Sequence, residues 1–488
     1  MSIYKECDIR GIFEEEFQAS EGYKIGRAVG HLHPGTVLAV AGDVRLSTPI
    51  LKNRLIHGLL REKIHVVDLG VIPTPAFYHA LDVMGVDGGI MVTASHNPAR
   101  YNGFKLMFGE EPIAPEEIRK IESLVHGGFF NDSESEDRGN GLWEISGEEE
   151  GYGQADVMPA YRAFIQSHFP PGKKHLKIVL DCCDGTTSRF TPDLIEELGY
   201  EVVRLYCGTD GTFPNRNPNP ALYNCLEDLG KKVIETGADL GAGYDGDGDR
   251  VVFVDNLGRV IQSENSFVIF IRDYLAAIQE GKKLTNANGQ ELTPTFVYDQ
   301  KSMMIVFRTI ESLGGTGIME KSGYGFIKKS FLNHSSIMGG EISGHFFFGE
   351  IGKDDGLFAT LKMCEILERS DKTLGELAEE IPPSYISPEL RIFCAYEEQD
   401  ALLGKARRMA EKYRLNELDG VRIEFPFGWF LFRKSVTEQA MTMRLEADSP
   451  GHLEQMKGEI RRYVPEMEAH PYFRTAAETA KNETDDHR

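Results

Sequence analysis

The sequence predicts a multi-domain α/β protein: three related mixed α/β-sheet domains followed by a smaller C-terminal α+β domain. Three observations carry that expectation: a repeated strand–helix rhythm, an aspartate at the same place in three of its units, and a proline-marked change of pattern near Ile381. At 488 residues the chain has the length for three or four domains.

The segment VLAVAGDVRLSTP (Val37 to Pro49) reads as an apolar strand, a turn and the start of a helix whose apolar face includes Leu51 and Leu55. Lys177 to Tyr206 is a complete strand–helix–strand unit, and Thr295 to Glu320 is another. Short apolar strands alternating with helices mark α/β units. Each first strand ends on aspartate (Asp43, Asp181, Asp299), with Ser or Thr soon opening a helix. Such residues cap helices generally, so one instance means little; three predict related domains. The expected boundaries are 1–155, 156–258, 259–383 and 384–488. The first domain closes on the Gly-rich, acidic stretch 127–155, read as an exposed hairpin or loop plus linker with a solvated face. IPPSYISP (Ile381 to Pro388) opens the last domain. There, ELRIFCAY, a helix from Gln399 to about Tyr413, GVRIEF, WFLFRKS, AMTMRLEA and a final helix follow, with frayed residues expected from about Thr475.

Composition is that of a folded, soluble protein, with 41% hydrophobic and 26% charged residues. No apolar run is long enough to span a bilayer, and MSIYKECDIRGIF lacks the regions of a signal peptide. The seven cysteines show no metal-ligand spacing, and Cys182 and Cys183 read as strand packing. This unpatterned, odd count predicts free thiols and a reducing, cytoplasmic setting. A net charge of −23 argues against non-specific nucleic-acid binding. It leaves room for a small anionic substrate held by a local set of cations.

The sharpest local signal is YDGDGDRVVFVD (Tyr244 to Asp255). Alternate residues of an extended turn face one side, and glycine lets the backbone bend until Asp245, Asp247 and Asp249 converge. Three such carboxylates repel one another unless a hard cation compensates. An EF-hand is excluded, because Arg250 stands where that loop needs Gly and Asn256 where it needs Glu. Arg250 beside the carboxylates belongs where phosphate also binds, so the expected cation is Mg2+. In GGIMVTASHNPARYNGFKLMF (Gly88 to Phe108) an apolar strand runs into Ser95 and His96, and Asn97-Pro98 forces a turn. Ser95, near His96 and Lys105, is a candidate nucleophile or phosphoryl carrier, although such a turn is also ordinary structural punctuation. No G-x-S-x-G elbow is present, so a serine hydrolase is not predicted.

TASHNP (Thr93 to Pro98), Asn102-Gly103, Lys105, DGDGDR and GEISGH (Gly340 to His345) together resemble the α-D-phosphohexomutase superfamily, closest to its phosphomannomutase/phosphoglucomutase branch. DIRG (Asp8 to Gly11), VIPTPAFYHA (Val71 to Ala80) and TFPNRNPNP (Thr212 to Pro220) extend the likeness in order along the chain. The resemblance implies four domains around a central cleft. It implies interconversion of hexose 1- and 6-phosphates, of mannose or glucose, through phosphorylated Ser95 and a bisphosphorylated sugar, with Mg2+ and a hexose 1,6-bisphosphate activator. Ser95, Asp245, Asp247 and Asp249 would hold the metal. Glu341 and Ser343 would bind sugar hydroxyls. Arg10, Lys105, Arg250, Lys301 and His345 would line the cleft near phosphate or the reacting oxygens, with Lys105, His345 and Tyr324 as candidates to handle the proton. Arg433, Ser435 and Thr437 would bind the phosphate that is not reacting.

Four positions depart from the family pattern. Gly42 replaces a common Arg, Cys7 an aromatic residue, and Tyr324 the His of near relatives. The loop Arg433 to Gln439 lacks an expected Asn or Gly at Val436. These put substrate preference and rate in question. Alternative readings are a phosphoglucosamine mutase, a catalytically weak phosphosugar-binding member, and a metal-dependent phosphatase. A weak member would be expected to have lost Ser95 or the aspartates, and neither is lost.

Overall fold

The computed structural model describes residues 2–109, 111–130, 142–143, 145, 147, 149–172, 175–434 and 439–473. Three of its four sheets repeat one plan. In each repeat the first strand lies between the second and third, parallel to both, and the fourth runs antiparallel outside the third; in the first sheet Ile9–Ile12 adds a further antiparallel strand beyond the fourth. In the first sheet that order is His65–Val71, Val37–Gly42, Gly88–Val92, Tyr101–Phe108. In the second it is Glu201–Leu205, Lys177–Asp181, Leu240–Tyr244, Val251–Asp255. In the third it is Thr316–Glu320, Thr293–Asp299, Ser336–Gly340, Phe346–Phe348. The shared topology is what the recurring aspartates predicted.

The first strands are buried on both faces and therefore read as continuous apolar runs. Leu38 and Val40 join one core with Leu55, Ile90 and Phe104, while Ala39 and Ala41 join another on the opposite face. That second core is continuous with Ile178 and Phe253 of the second sheet and Phe296 and Phe348 of the third. In the Leu240–Tyr244 strand, a Cβ on Gly241 would lie 2.9 Å from the Leu229 and Val233 side chains. Glycine there lets the Glu227–Thr236 helix pack closely behind the aspartate loop.

The acidic stretch is more than an exposed loop. Its end, Tyr152–Gln154, adds a parallel edge strand to His65–Val71, and Trp143 exchanges two hydrogen bonds with Asn53. Residues 131–141 of that stretch, and those from Thr475, lie outside the described residues.

The C-terminal sheet is antiparallel, with Ala440–Ala447 and Gly428–Lys434 at its centre. Leu402, Leu403, Met456 and Ile460 of two helices cover Phe430 and Phe432 in a separate core. The first of these helices spans Tyr396–Arg407, starting earlier than Gln399. Glu398 accepts the Ala395 N–H (3.0 Å) and so fixes the earlier start. Among the described residues, no helix is long and apolar enough to cross a membrane.

Candidate active site

Ser95 follows directly on the Gly88–Val92 strand and is 1% exposed. Its φ of +48° is a left-handed conformation that serine adopts only when its surroundings force it. Arg45 supplies the force. Its Nη2 donates to the Ser95 and Asn97 carbonyls (2.8 and 2.6 Å), and its Nη1 to those of Pro98 and Tyr101 (2.7 and 3.1 Å). Asp43 holds Arg45 in turn through Nε (3.0 Å), both side chains being fully buried. Thr93 Oγ1 receives the Ser95 N–H (2.9 Å) and donates to Asp43 (2.7 Å).

The DGDGDR turn joins the Leu240–Tyr244 and Val251–Asp255 strands and brings its carboxylates beneath Ser95. Ser95 Oγ donates to Asp245 Oδ2 at 2.7 Å. A Cβ on Gly246 would meet the Ser95 carbonyl at 2.7 Å, so only glycine permits this approach. Asp245, Asp247 and Asp249 are completely buried, each offering an oxygen within 4.8 Å of the others. Lys105 Nζ donates to Asp247 (2.9 Å) and Asp249 (2.5 Å), and Thr74 Oγ1 to Asp247 (2.7 Å).

Burial, then the charges of Asp247 and Asp249, raise the Asp245 carboxyl well above the usual range. Burial also works to raise Asp247, but Lys105 and the Thr74 hydrogen bond outweigh it and leave that carboxyl low. Burial opposes the charge on Lys105, yet Asp247 and Asp249 outweigh it and raise the ammonium pKa. Lys105, and at longer range Arg250 (Nε 3.9 Å from Asp245 and 4.0 Å from Asp249), face three carboxylates, and Asp247 Oδ1 and Asp249 Oδ1 are buried with no hydrogen-bond partner. The donor set, all hard oxygen, fits a small divalent cation.

Arg250, at the end of this turn, donates Nε–H to His345 Nε2 (2.9 Å). Arginine has no acceptor, so the neutral ring carries its proton on Nδ1, facing Asp354 Oδ2 (2.8 Å). His345 is therefore engaged on both nitrogens and positions Arg250. Arg10 bonds Asn97 (2.7 Å) and Asp8 (2.6 Å), which places its guanidinium beside the Ser95 loop. His96 Nδ1 lies 3.4 Å from Ser95 Oγ. Burial, with Arg250 and Arg10 nearby, holds that ring well below its ordinary value.

Glu341 accepts from Gly323 N (3.0 Å) and Ser343 Oγ (3.1 Å), so the two expected sugar-binding groups share one loop. The Tyr324 ring lies 5.9 Å from Lys105 Nζ and 5.7 Å from the His345 ring, and its hydroxyl receives Lys328 (3.2 Å). Two expected groups are paired away from the aspartates, at the C-terminal domain: Lys301 with Glu389 (2.9 Å) and Arg433 with Asp419 (2.6 Å). Ser435 and Thr437 lie outside the described residues.

Sequence reasoning missed Arg45, Thr74, Asp354 and Arg216, which donates Nη2–H to the Tyr244 carbonyl (2.6 Å). Arg216 lay within the quoted TFPNRNPNP and Thr74 within VIPTPAFYHA, but nothing in those strings says what they hold.

Three family profiles, phosphoglucomutase/phosphomannomutase α/β/α domains I, II and III, match residues 1–132, 160–258 and 265–385. The chain belongs to the phosphoglucomutase/phosphomannomutase family. The family falls within the α-D-phosphohexomutase superfamily, and membership makes the protein a mutase, a kind of isomerase. Over 478 residues it is 35% identical to a phosphomannomutase/phosphoglucomutase of Pseudomonas putida, covering 96% of this chain and 97% of that one. A phosphoglucomutase of Neisseria meningitidis is 32% identical, covering 95% and 96%. Among solved structures, a family protein from Burkholderia thailandensis superposes with a TM-score of 0.82 at 30% identity, covering 96% of this chain and 98% of that one.

Proposed function

We propose that this protein interconverts the 1- and 6-phosphates of mannose and glucose by way of a phosphorylated Ser95 and a bisphosphorylated sugar. The observation that carries this reading is Ser95 Oγ at 2.7 Å from a buried three-carboxylate cluster with unpartnered oxygens. Ser95 and the three aspartates would hold Mg2+, which when bound supplies charge neutralisation at the transferring phosphoryl group. Phosphorylated Ser95 gives its phosphoryl group to the free hydroxyl of the bound sugar monophosphate. The bisphosphate then turns over, and its other phosphate restores Ser95. A hexose 1,6-bisphosphate would prime the same cycle.

Lys105, kept charged by its carboxylates, and Arg250, aimed by His345, stabilise charge on the phosphoryl oxygens. Arg10 lies over the same loop. Glu341 exchanges its bond with Ser343 for sugar hydroxyls. Lys301 and Arg433, with Ser435 and Thr437, belong to the subsite for the distant phosphate and would leave Glu389 and Asp419 for it. The roles follow a division at 1–155, 156–258, 259–383 and 384–488: phosphoserine, metal, sugar and distal phosphate.

The test is an assay with magnesium and a trace of glucose 1,6-bisphosphate on glucose 1-phosphate, mannose 1-phosphate and glucosamine 1-phosphate. Isomerisation of the first two is expected, abolished in Ser95→Ala and by a chelator. Release of inorganic phosphate without isomerised product would make the protein a phosphatase and sink the reading.

A further inference from the structure

The aspartate loop rests on two neighbouring segments. One is the turn after Asp181, where Thr186 donates both its N–H and its hydroxyl to the Gly246 carbonyl (3.0 Å each) and Gly185 N bonds the Cys182 carbonyl (2.8 Å). The other is 207–216, whose Arg216 grips the Tyr244 carbonyl (2.6 Å) and Asp181 (2.7 Å). A cysteine heads each segment. Cys182 follows the Lys177–Asp181 strand, and Cys207 lies just beyond the parallel Glu201–Leu205 strand. The register pairs Asp181 with Leu205, which puts Cys182 level with Tyr206; Tyr206 is left-handed (φ +49°), and just past it the Cys207 Sγ lies 3.2 Å from that of Cys182. Cys182 is fully buried and Cys207 half-buried. Cys183 contacts the Arg216 carbonyl instead (3.8 Å). Strand packing therefore accounts for Cys182 only in part.

We propose that Cys182 and Cys207 form an oxidation site, converted by hydrogen peroxide into an intrachain disulfide that shifts both braces of the aspartate loop and lowers turnover. Cys207 is the less buried of the two, and its hydrogen-bond contact with Cys182 holds its thiol below the ordinary value. The Cys207 thiolate attacks one peroxide oxygen, the O–O bond breaks, one water leaves and a sulfenic acid remains. Cys182 then attacks the sulfenic sulfur; the S–S bond forms, the S–O bond breaks and a second water leaves. In sum the two thiols lose two hydrogens with their electrons, and the peroxide is reduced to two waters. Closing 3.2 Å to the roughly 2.05 Å of a disulfide brings the two sulfurs together by about 1 Å, and the part that side-chain rotation does not absorb passes to the two segments. A misplacement of that size near reacting groups costs up to roughly 100-fold in rate.

The experiment treats the full-length, magnesium-loaded protein with hydrogen peroxide, blocks free thiols, and maps peptides without reduction. A peptide joining Cys182 to Cys207 is expected, with a several-fold or greater loss of mutase turnover that dithiothreitol restores. Cys207→Ser should show neither effect, with Cys207→Ala in its place should the serine variant not fold, while Cys183→Ser should show both. Failure to find the Cys182–Cys207 peptide overturns the site, whatever substrate the protein takes. A cross-link that leaves turnover unchanged, or an equal loss in Cys207→Ser, overturns its control of the loop.

Discussion

Ser95 occupies a left-handed backbone conformation, a strain on the order of 1–3 kcal/mol for a residue with a Cβ. Such a conformation persists only when its neighbours over-determine it, and Arg45 does so with hydrogen bonds to four carbonyls of the 95–101 segment. The guanidinium fork can span these carbonyls, whereas an ammonium cannot. Arg45→Met would also strand Asp43 as a buried charge without its ion partner, which costs about 3–5 kcal/mol. Thermal unfolding should show that loss. Arg45→Lys keeps the charge and should recover much of the stability, yet leave kcat reduced by at least about tenfold, because the loop no longer presents Oγ to Asp245. Full activity in Arg45→Lys would show that the loop holds its shape without the fork.

Each related domain ends its first strand with the same device. The Oδ1 of Asp43, Asp181 and Asp299 accepts the N–H two residues on, from Arg45 (3.0 Å), Cys183 (2.9 Å) and Lys301 (2.8 Å). Asp355 plays a different part, capping the Gly356–Arg369 helix through Phe358 N (3.0 Å) while accepting from Tyr161 (2.6 Å). Burial pushes its carboxyl up to about 6, with the Tyr161 bond pulling the other way. A raised folded-state value means that the folded protein holds a proton the unfolded chain has released. The linked stabilisation is therefore full below about pH 4 and lost as pH rises through 6, on the order of 3 kcal/mol in all. Asp355→Asn keeps a capping oxygen without titrating. Its stability relative to wild type should rise between pH 4 and pH 6 in denaturant titrations; a flat difference would show that Asp355 is ionised at no such cost.

These elements also explain what was legible. The aspartate–glycine turn could be read because its three carboxylates lie within five residues, whereas the Ser95 turn, whose chemistry needs Arg45 and Asp245, was set apart from an ordinary turn only by the family resemblance. Arg45, Asp354 and Arg216 could not, because each acts on backbone or side chains that only the sheet order brings near.

At the scale of the whole molecule, one apolar core runs through the first three domains, and the C-terminal domain has its own. The join to the third domain includes Met304 against Trp429 and Leu431, Arg422 and Arg444 donating to the carbonyls of Gln300 and Lys301, and Lys301 paired with Glu389. Glu446 is its polar centre, fully buried, accepting from Met304 N (2.7 Å), Trp429 Nε1 (2.5 Å) and Ser384 Oγ. Contacts between domains of this kind permit relative movement, and Arg433, on the strand beside that of Glu446, would move with the C-terminal domain. Glu446→Ala leaves the Met304 and Trp429 donors unpaired, each costing about 1–3 kcal/mol. The three-domain core, with Ser95 and the aspartates, is untouched. KM for the sugar phosphate should then rise several-fold with a smaller change in kcat, and Trp429 emission should shift to the red while Trp143, distant in the first domain, stays constant. A fall in kcat at unchanged KM would instead mean that the C-terminal domain acts on the chemical step rather than on capture of the distant phosphate.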